Sequence, residues 1–330
     1  MANLPTLKTR FPEPVVDSGA DPYVVSHNDY FYYIHVINDQ AIYIRKAKTL
    51  DAIGRAETVQ VWPLPGEPYS ENLWAPELHL IEGKWYIYYT DGPKVEHDVQ
   101  QRSYVIEGDG DDPQTAKYIF KGKLATPSDE RSIDGTVLNM ADGQRYFVWS
   151  GWETAENEVQ HLYIAKMANP WTLLGERVKI ASPVFPWESH RIGVNEGPQI
   201  LPQGDKRHII YSASHGMTNH YCLGQLTLEG TDPLDPTHWI KRPQPIYESH
   251  KGLISPGHAS FILTDDEKYG WMIFHTARHA DAGFDRQVRL AAFEIMADGI
   301  INFMPTTNAL QQVGKKLSLV NLWGRLVKRS

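Results

Sequence analysis

Residues 134–150, DGTVLNMADGQRYFVWS, open on an acidic residue, run through Val137 and Leu138, turn at ADG and end in an aromatic-rich strand. A Gly/Asn/Asp turn between two short apolar runs is the signal of a β-hairpin. The same form recurs as DPYVVSHNDYFYYIH from Asp21, WAPELHLIEGKWYIYYT from Trp74, EGPQILPQGDKRHIIYS from Glu196 and GHASFILTDDEKYGWMIFH from Gly257. A third strand-like segment follows each hairpin (AIYIRKAKTL, RSYVIEGDG, HLYIAKMANPW, YCLGQLTLEG and VRLAAFEI). A fourth, less regular one follows most of them, as in ETVQVWPLP and ERVKIASPV. The openings Asp21, Trp74, Asp134, Glu196 and His258 stand 53, 60, 62 and 62 residues apart. Four short strands per unit, repeated five times, predict an all-β fold: a five-bladed β-propeller with four-stranded blades around a central channel. Two β-sandwich domains would give no reason for five equivalent openings. No Gly/Ser-rich or Pro-rich linker divides the chain, so residues 1–330 read as a single domain. The tail, 303–330, mixes basic and apolar residues and is expected to pack Trp323 and its Leu and Val neighbours on the ring, or to close the last blade.

Composition narrows the function. The charge sum is 32 basic against 40 acidic residues, or −8, which argues against a nucleic-acid backbone or an anionic membrane as partner. No run of about 18 apolar residues could span a bilayer. A single cysteine, Cys222, excludes an intrachain disulfide and a Cys-based zinc site. The opening MANLPTLKTRFPEP has no apolar core of a signal peptide, so the chain as written reads as cytoplasmic, or as a secreted protein with its leader trimmed. Ten Trp and seventeen Tyr are many for this length, and they supply flat apolar faces with a polar handle, suited to sugars.

In a propeller the first strand of each blade lines the channel, so the five openings converge at one mouth. Asp21, Asp134 and Glu196 would meet there, with Trp74 and His258 beside them. Three carboxylates in one partly dry pocket repel each other and lose hydration, a cost that points to a metal or to acid–base chemistry. Two carboxylates flanking a scissile bond are what glycoside hydrolysis needs. The bland alternative, that each Asp merely caps a turn, explains one of them better than three in register.

The motifs ADPYVV, NLWAPELH, SIDGTVL, VNEGPQIL and SPGHASF, in that order, resemble those of glycoside hydrolase family 43, the five-bladed arabinofuranosidases, arabinanases and xylosidases. The stretches YFVWSGWE and LYIAKMANPWTL are similar to its exo-acting α-L-arabinofuranosidases. The resemblance implies that Asp21 is the general base, Glu196 the general acid and Asp134 the carboxylate that orients the acid and raises its pKa. It also implies inversion at the anomeric carbon, with acid and base about 6.5–9.5 Å apart to admit water. His258 matches a histidine near the channel centre that helps hold a calcium or other cation. Trp74 resembles a sugar wall, and Arg286 or Arg289, in FDRQVRL, an arginine that binds the non-reducing sugar. No organic cofactor is expected.

Other residues divide between roles. Trp152, in SGWE, either packs blade three or flanks the sugar, and is read as sugar-binding. Glu77 is expected to brace the pocket or pair with a base. His79 and His275 are expected to be structural, and Trp85, Trp149 and Trp271 to be core. The leading function is an inverting exo-α-L-arabinofuranosidase acting on arabinose-containing oligosaccharides or polysaccharides. A β-xylosidase of the same family and a non-catalytic carbohydrate-binding propeller are the alternatives. A retaining fructan hydrolase would need its own nucleophile motif, such as Asn-Asp-Pro, where this chain has GADPY.

Overall fold

A computed structural model describes residues 13–63, 70–94, 98–250 and 252–303. Among the described residues, twenty strands form five four-stranded antiparallel sheets, each a simple meander in chain order. The first strands are β1 (Tyr23–His27), β5 (Trp74–Ile81), β9 (Ile133–Asn139), β13 (Asn195–Gln203) and β17 (Ile254–Leu263). Each touches the next around a closed ring, β17 returning to β1, so the chain is a five-bladed propeller with these strands at its axis. The hairpin turns hold as expected. Asn28–Asp29 and Glu82–Gly83, the two-residue links β1–β2 and β5–β6, have positive φ at both positions, the twist a tight hairpin requires.

The second strands explain why the aromatic runs are apolar on both faces. They are β2 (Tyr30–Ile37), β6 (Lys84–Asp91), β10 (Arg145–Gly151), β14 (Lys206–Ala213) and β18 (Tyr269–Ala277). Each lies between two neighbouring blades, and its alternate side chains enter two different cores. In β2, Tyr32 and Ile34 pack toward blade two with Leu78 and Trp85, while Phe31 and Tyr33 pack toward blade five with Ile273 and Val288. In β10, Phe147 and Trp149 face blade two and Tyr146 and Val148 face blade four. Five such clusters fill the five gaps between blades. Fully burying one of these large apolar side chains contributes about 1.5–3 kcal/mol.

One glycine is fixed by this packing. A Cβ on Gly135 would lie 1.9 Å from Cζ of the buried Phe147 ring. We expect Gly135→Ala to cost roughly 1–3 kcal/mol through overpacking, read by calorimetry as a melting temperature lowered by a few degrees; an unchanged melting temperature would contradict this packing.

Blade five is closed from both ends of the described chain. Its third strand, β19 (Arg286–Ile295), pairs with the short β20 (Ile301–Asn302). It also bonds the N-terminal segment: Val288 N–H donates to Val16 O at 2.9 Å, and Val15 N–H to Val288 O at 2.8 Å. The tail expected to close the ring lies, from residue 304, outside the described residues.

Candidate active site

At or near the start of each inner strand stands a residue in the left-handed region: Asp21 (φ 47°), Ala75 (44°), Asp134 (56°), Gly197 (53°) and His258 (43°). For a non-glycine residue this costs about 1–2 kcal/mol, and the pairing of β5, β13 and β17 is bulged at the same place. Three of the amides so turned donate into the end of the preceding blade's second strand. Asp21 N–H donates to His275 Nδ1 at 3.1 Å, Asp134 N–H to Thr90 Oγ1 at 3.2 Å and His258 N–H to Ser212 Oγ at 2.7 Å. The equivalent positions are therefore Asp21, Ala75, Asp134, Gly197 and His258. Trp74 and Glu196, which the sequence places in the same series, stand one residue earlier. They remain half-buried while Asp134 and His258 are buried.

His258 ties the carboxylates together. Its Nδ1 lies 3.2 Å from Asp21 Oδ1 and 4.0 Å from Asp134 Oδ2. Burial favours the neutral imidazole, but Asp21, Asp134, Glu196 and Glu77 outweigh it and push the His258 pKa up. Asp21 also has Arg286 Nη1 at 3.6 Å and His275 Nδ1 at 3.4 Å. Burial pushes its carboxyl up, yet the charges of His258 and Arg286 prevail and hold it well below the usual range. Because His275 Nδ1 accepts the Asp21 amide, it cannot donate to the carboxylate. Burial drives the His275 pKa down to about 3, so the ring is neutral and carries its proton on Nε2.

Asp134 is the opposite case. Burial, with Glu196 and Asp21 nearby, raises it to about 7 against the pull of His258. Its Oδ2 accepts the Gly197 N–H at 3.0 Å, which sets Asp134 beside Glu196. Glu196 Oε1 accepts the Tyr221 hydroxyl at 2.7 Å, and the Tyr221 ring stacks on His275 at 5.6 Å. A carboxylate kept ionised and a carboxyl with its pKa raised, with Glu196 beside it, thus face one channel mouth, an acid–base arrangement. Beside Asp21 a cavity of about 220 Å³ is lined by Trp74, Phe284 and Arg286 among others.

Comparison with known proteins agrees. The family model for glycosyl hydrolases family 43 matches residues 11–301. The chain belongs to this family. A relative from Streptomyces avermitilis, an extracellular exo-α-(1→5)-L-arabinofuranosidase, is 35% identical over 89% of this chain and 63% of its own length. One of the same name from Streptomyces chartreusis is 31% identical over 82% of this chain and 84% of its own. The crystal structure of an α-L-arabinofuranosidase from Lactobacillus brevis superimposes with a TM-score of 0.80 at 33% identity, covering 89% of this chain and 96% of that one. The chain therefore spans under two thirds of the Streptomyces avermitilis relative.

Within this family-43 ring most of the expected residues come together, and three expectations change. Arg289 is not at the pocket. It is three residues from Arg286 on one strand, so it leaves the opposite face and donates to Thr276 Oγ1 at 3.2 Å. Trp152 is 5% exposed, with the Arg131 guanidinium 4.4 Å above its ring, so the face expected to meet a sugar is covered by Arg131. His275, expected to be structural, supports Asp21 directly. Glu77 braces as expected, held by His79 Nε2 at 2.8 Å and by the Gln199 amide. Two site residues escaped the sequence reading, Tyr221 and Arg131. Tyr221 has a trace in Gly257, where a Cβ would come 2.0 Å from the tyrosine ring.

The cation expected at His258 lacks a matching donor set. Among the described residues no three His, Cys, Asp or Glu side chains converge as a metal's ligands do. Calcium takes roughly six to eight oxygen ligands, whereas the His258 Nδ1 is turned to two carboxylates. The arrangement is that of an ion pair between His258 and the two carboxylates.

Proposed function

We propose that the protein is an exo-acting α-L-arabinofuranosidase that releases terminal arabinose from arabinose-containing oligosaccharides or polysaccharides with inversion. The carrying observation is the convergence of Asp21, Asp134 and Glu196 around His258, with Trp74 and Arg286 beside Asp21. The names of the relatives support the arabinoside. Asp21, kept ionised, takes a proton from water as the water attacks the anomeric carbon. Glu196 gives its proton to the departing oxygen, and Asp134, bonded to the amide that follows it, holds the acid in place. Trp74 offers an apolar face and Arg286 a donor to the retained sugar. Two relatives are named extracellular, which favours a secreted form over the cytoplasmic reading of the N-terminal stretch.

The test is hydrolysis of an aryl α-L-arabinofuranoside against an aryl β-D-xyloside. The arabinoside should be clearly preferred. Preference for the xyloside would keep every residue in its role and overturn the sugar, and inactivity on both aryl glycosides and on arabino-oligosaccharides would leave the binding-only propeller.

A further inference from the structure

The residue just before the acid is held by a buried ion pair. Asn195 and Glu196 are neighbours on β13, so their side chains leave opposite faces. Glu196 is half-buried, whereas Asn195 is wholly buried. Asn195 Nδ2 donates to Glu188 Oε1 at 2.8 Å, and its Oδ1 accepts from Lys241 Nζ at 2.8 Å. Lys241 Nζ also donates to Glu188 Oε1 and to Ser182 O, each at 2.6 Å. The main chain of Asn195 is fastened as well. Its N–H donates to Gln160 O at 3.0 Å, and its O accepts the Ser150 hydroxyl at 2.9 Å.

The ion pair is assembled from distant parts of the chain. Lys241 ends β16 (Trp239–Lys241), the outermost strand of blade four, and Glu188 ends the short turn Pro186–Glu188 that precedes β13. The Glu188 side chain is 0% exposed and that of Lys241 12%. Glu188 Oε2 accepts the Val184 and Phe185 amides at 2.7 and 2.9 Å, and Tyr211 donates its hydroxyl to Oε1 at 2.9 Å. Two charges taken out of water are a poor source of stability compared with apolar side chains of the same size. This pair also stands at one place in the ring. Counted from the left-handed residue of each inner strand, the positions equivalent to Asn195 are Gly19, Leu73, Ser132 and Pro256. Three of these have no polar side chain, and Ser132 meets the neutral Ser103 hydroxyl at 2.7 Å. Among the described residues, an ion pair grips this position in the blade that carries Glu196 and in no other. We infer that Lys241 and Glu188, acting through Asn195, are positioning residues for the acid, fixing the start of β13 so that Glu196 meets the departing oxygen. The inference rests on the reading of Glu196 as general acid and deepens it.

The test measures kcat and KM on α-1,5-linked arabinobiose and on an aryl arabinoside whose activated leaving group departs without a proton. Asn195→Leu keeps the size of the side chain and leaves Lys241 and Glu188 paired with each other. Lys241→Met combined with Glu188→Gln removes both charges, so that neither is left buried alone. In either variant kcat on arabinobiose should fall about 10–100-fold, the scale of a reacting group misplaced by about 1 Å, with KM changed less than about threefold. The aryl arabinoside should lose less than about threefold. Melting temperatures, taken in parallel, keep the assays below unfolding, and Asn195→Leu decides the matter if the double variant does not fold. A role in stability alone would lower both rates alike; equal loss on both substrates, or no loss on either, overturns the inference. Glu196→Ala, run alongside, separates the two claims. A difference between the substrates in Glu196→Ala but not in Asn195→Leu overturns the positioning alone, and no difference in Glu196→Ala overturns the acid role with it. A wild-type protein active on xylosides only would overturn the sugar, and xylobiose against an aryl xyloside would then decide the positioning on the same criterion.

Discussion

Glu196→Ala should lower turnover of arabino-oligosaccharides by about 10²–10⁴-fold, the usual yield of a positioned general acid. An aryl arabinoside with an activated leaving group should lose far less, because its oxygen departs without a proton. The geometry behind this is local. Glu196 sits one residue before the left-handed Gly197, half-buried, with one oxygen held by Tyr221 and with Asp134 bonded to the next amide. Asp134 is raised by burial, so a proton remains in this corner of the site near neutral pH. Paired steady-state measurements on the two substrates decide it, and equal loss on both would remove the acid role.

Asp21→Asn should cost about 10²–10⁴-fold on both kinds of substrate, since activating water is needed whatever leaves. Its carboxylate is held ionised, against the cost of burial, by His258 and Arg286. The sign for pH follows. A carboxyl whose pKa is depressed stays charged until the pH falls well below the ordinary value of about 4. Loss of activity on moderate acidification should therefore not come from Asp21, and the Asn variant should be inactive across the whole working range rather than at one end of it. An Asn variant that kept a substantial rate on the aryl arabinoside would take Asp21 out of the mechanism.

The ring was legible because its hairpins announce themselves, with turn residues at one spacing and aromatic runs between. The core was legible for the same reason: a strand sandwiched between blades is apolar on both faces, as Phe31–Ile34 shows. The register of the openings was not. Asp21 and Glu196 both precede apolar strands, yet the left-handed turn falls on Asp21 in one blade and on Gly197, after the glutamate, in another. Only backbone geometry separates these cases. His275 could have been found. The five hairpin units end in His35, Thr90, Ser150, Ser212 and His275, all buried, and a buried polar side chain at the end of an apolar strand requires a partner. For Thr90, Ser212 and His275 the partner is an amide of the next blade's opening. Arg289 misled because it shares a strand with Arg286, and strand alternation then sends the two apart. The N-terminal closure left no trace because Val15 and Val16 are too short a run to read as a strand.

The most direct measurement is proton NMR of the first sugar released from an aryl α-L-arabinofuranoside, recorded before mutarotation. Release of β-configured arabinose is expected, from direct attack of a water activated by Asp21 while Glu196 protonates the leaving oxygen. Release of α-configured arabinose would mean a covalent glycosyl-enzyme in place of activated water, and the assignment of Asp21 as a base would be wrong.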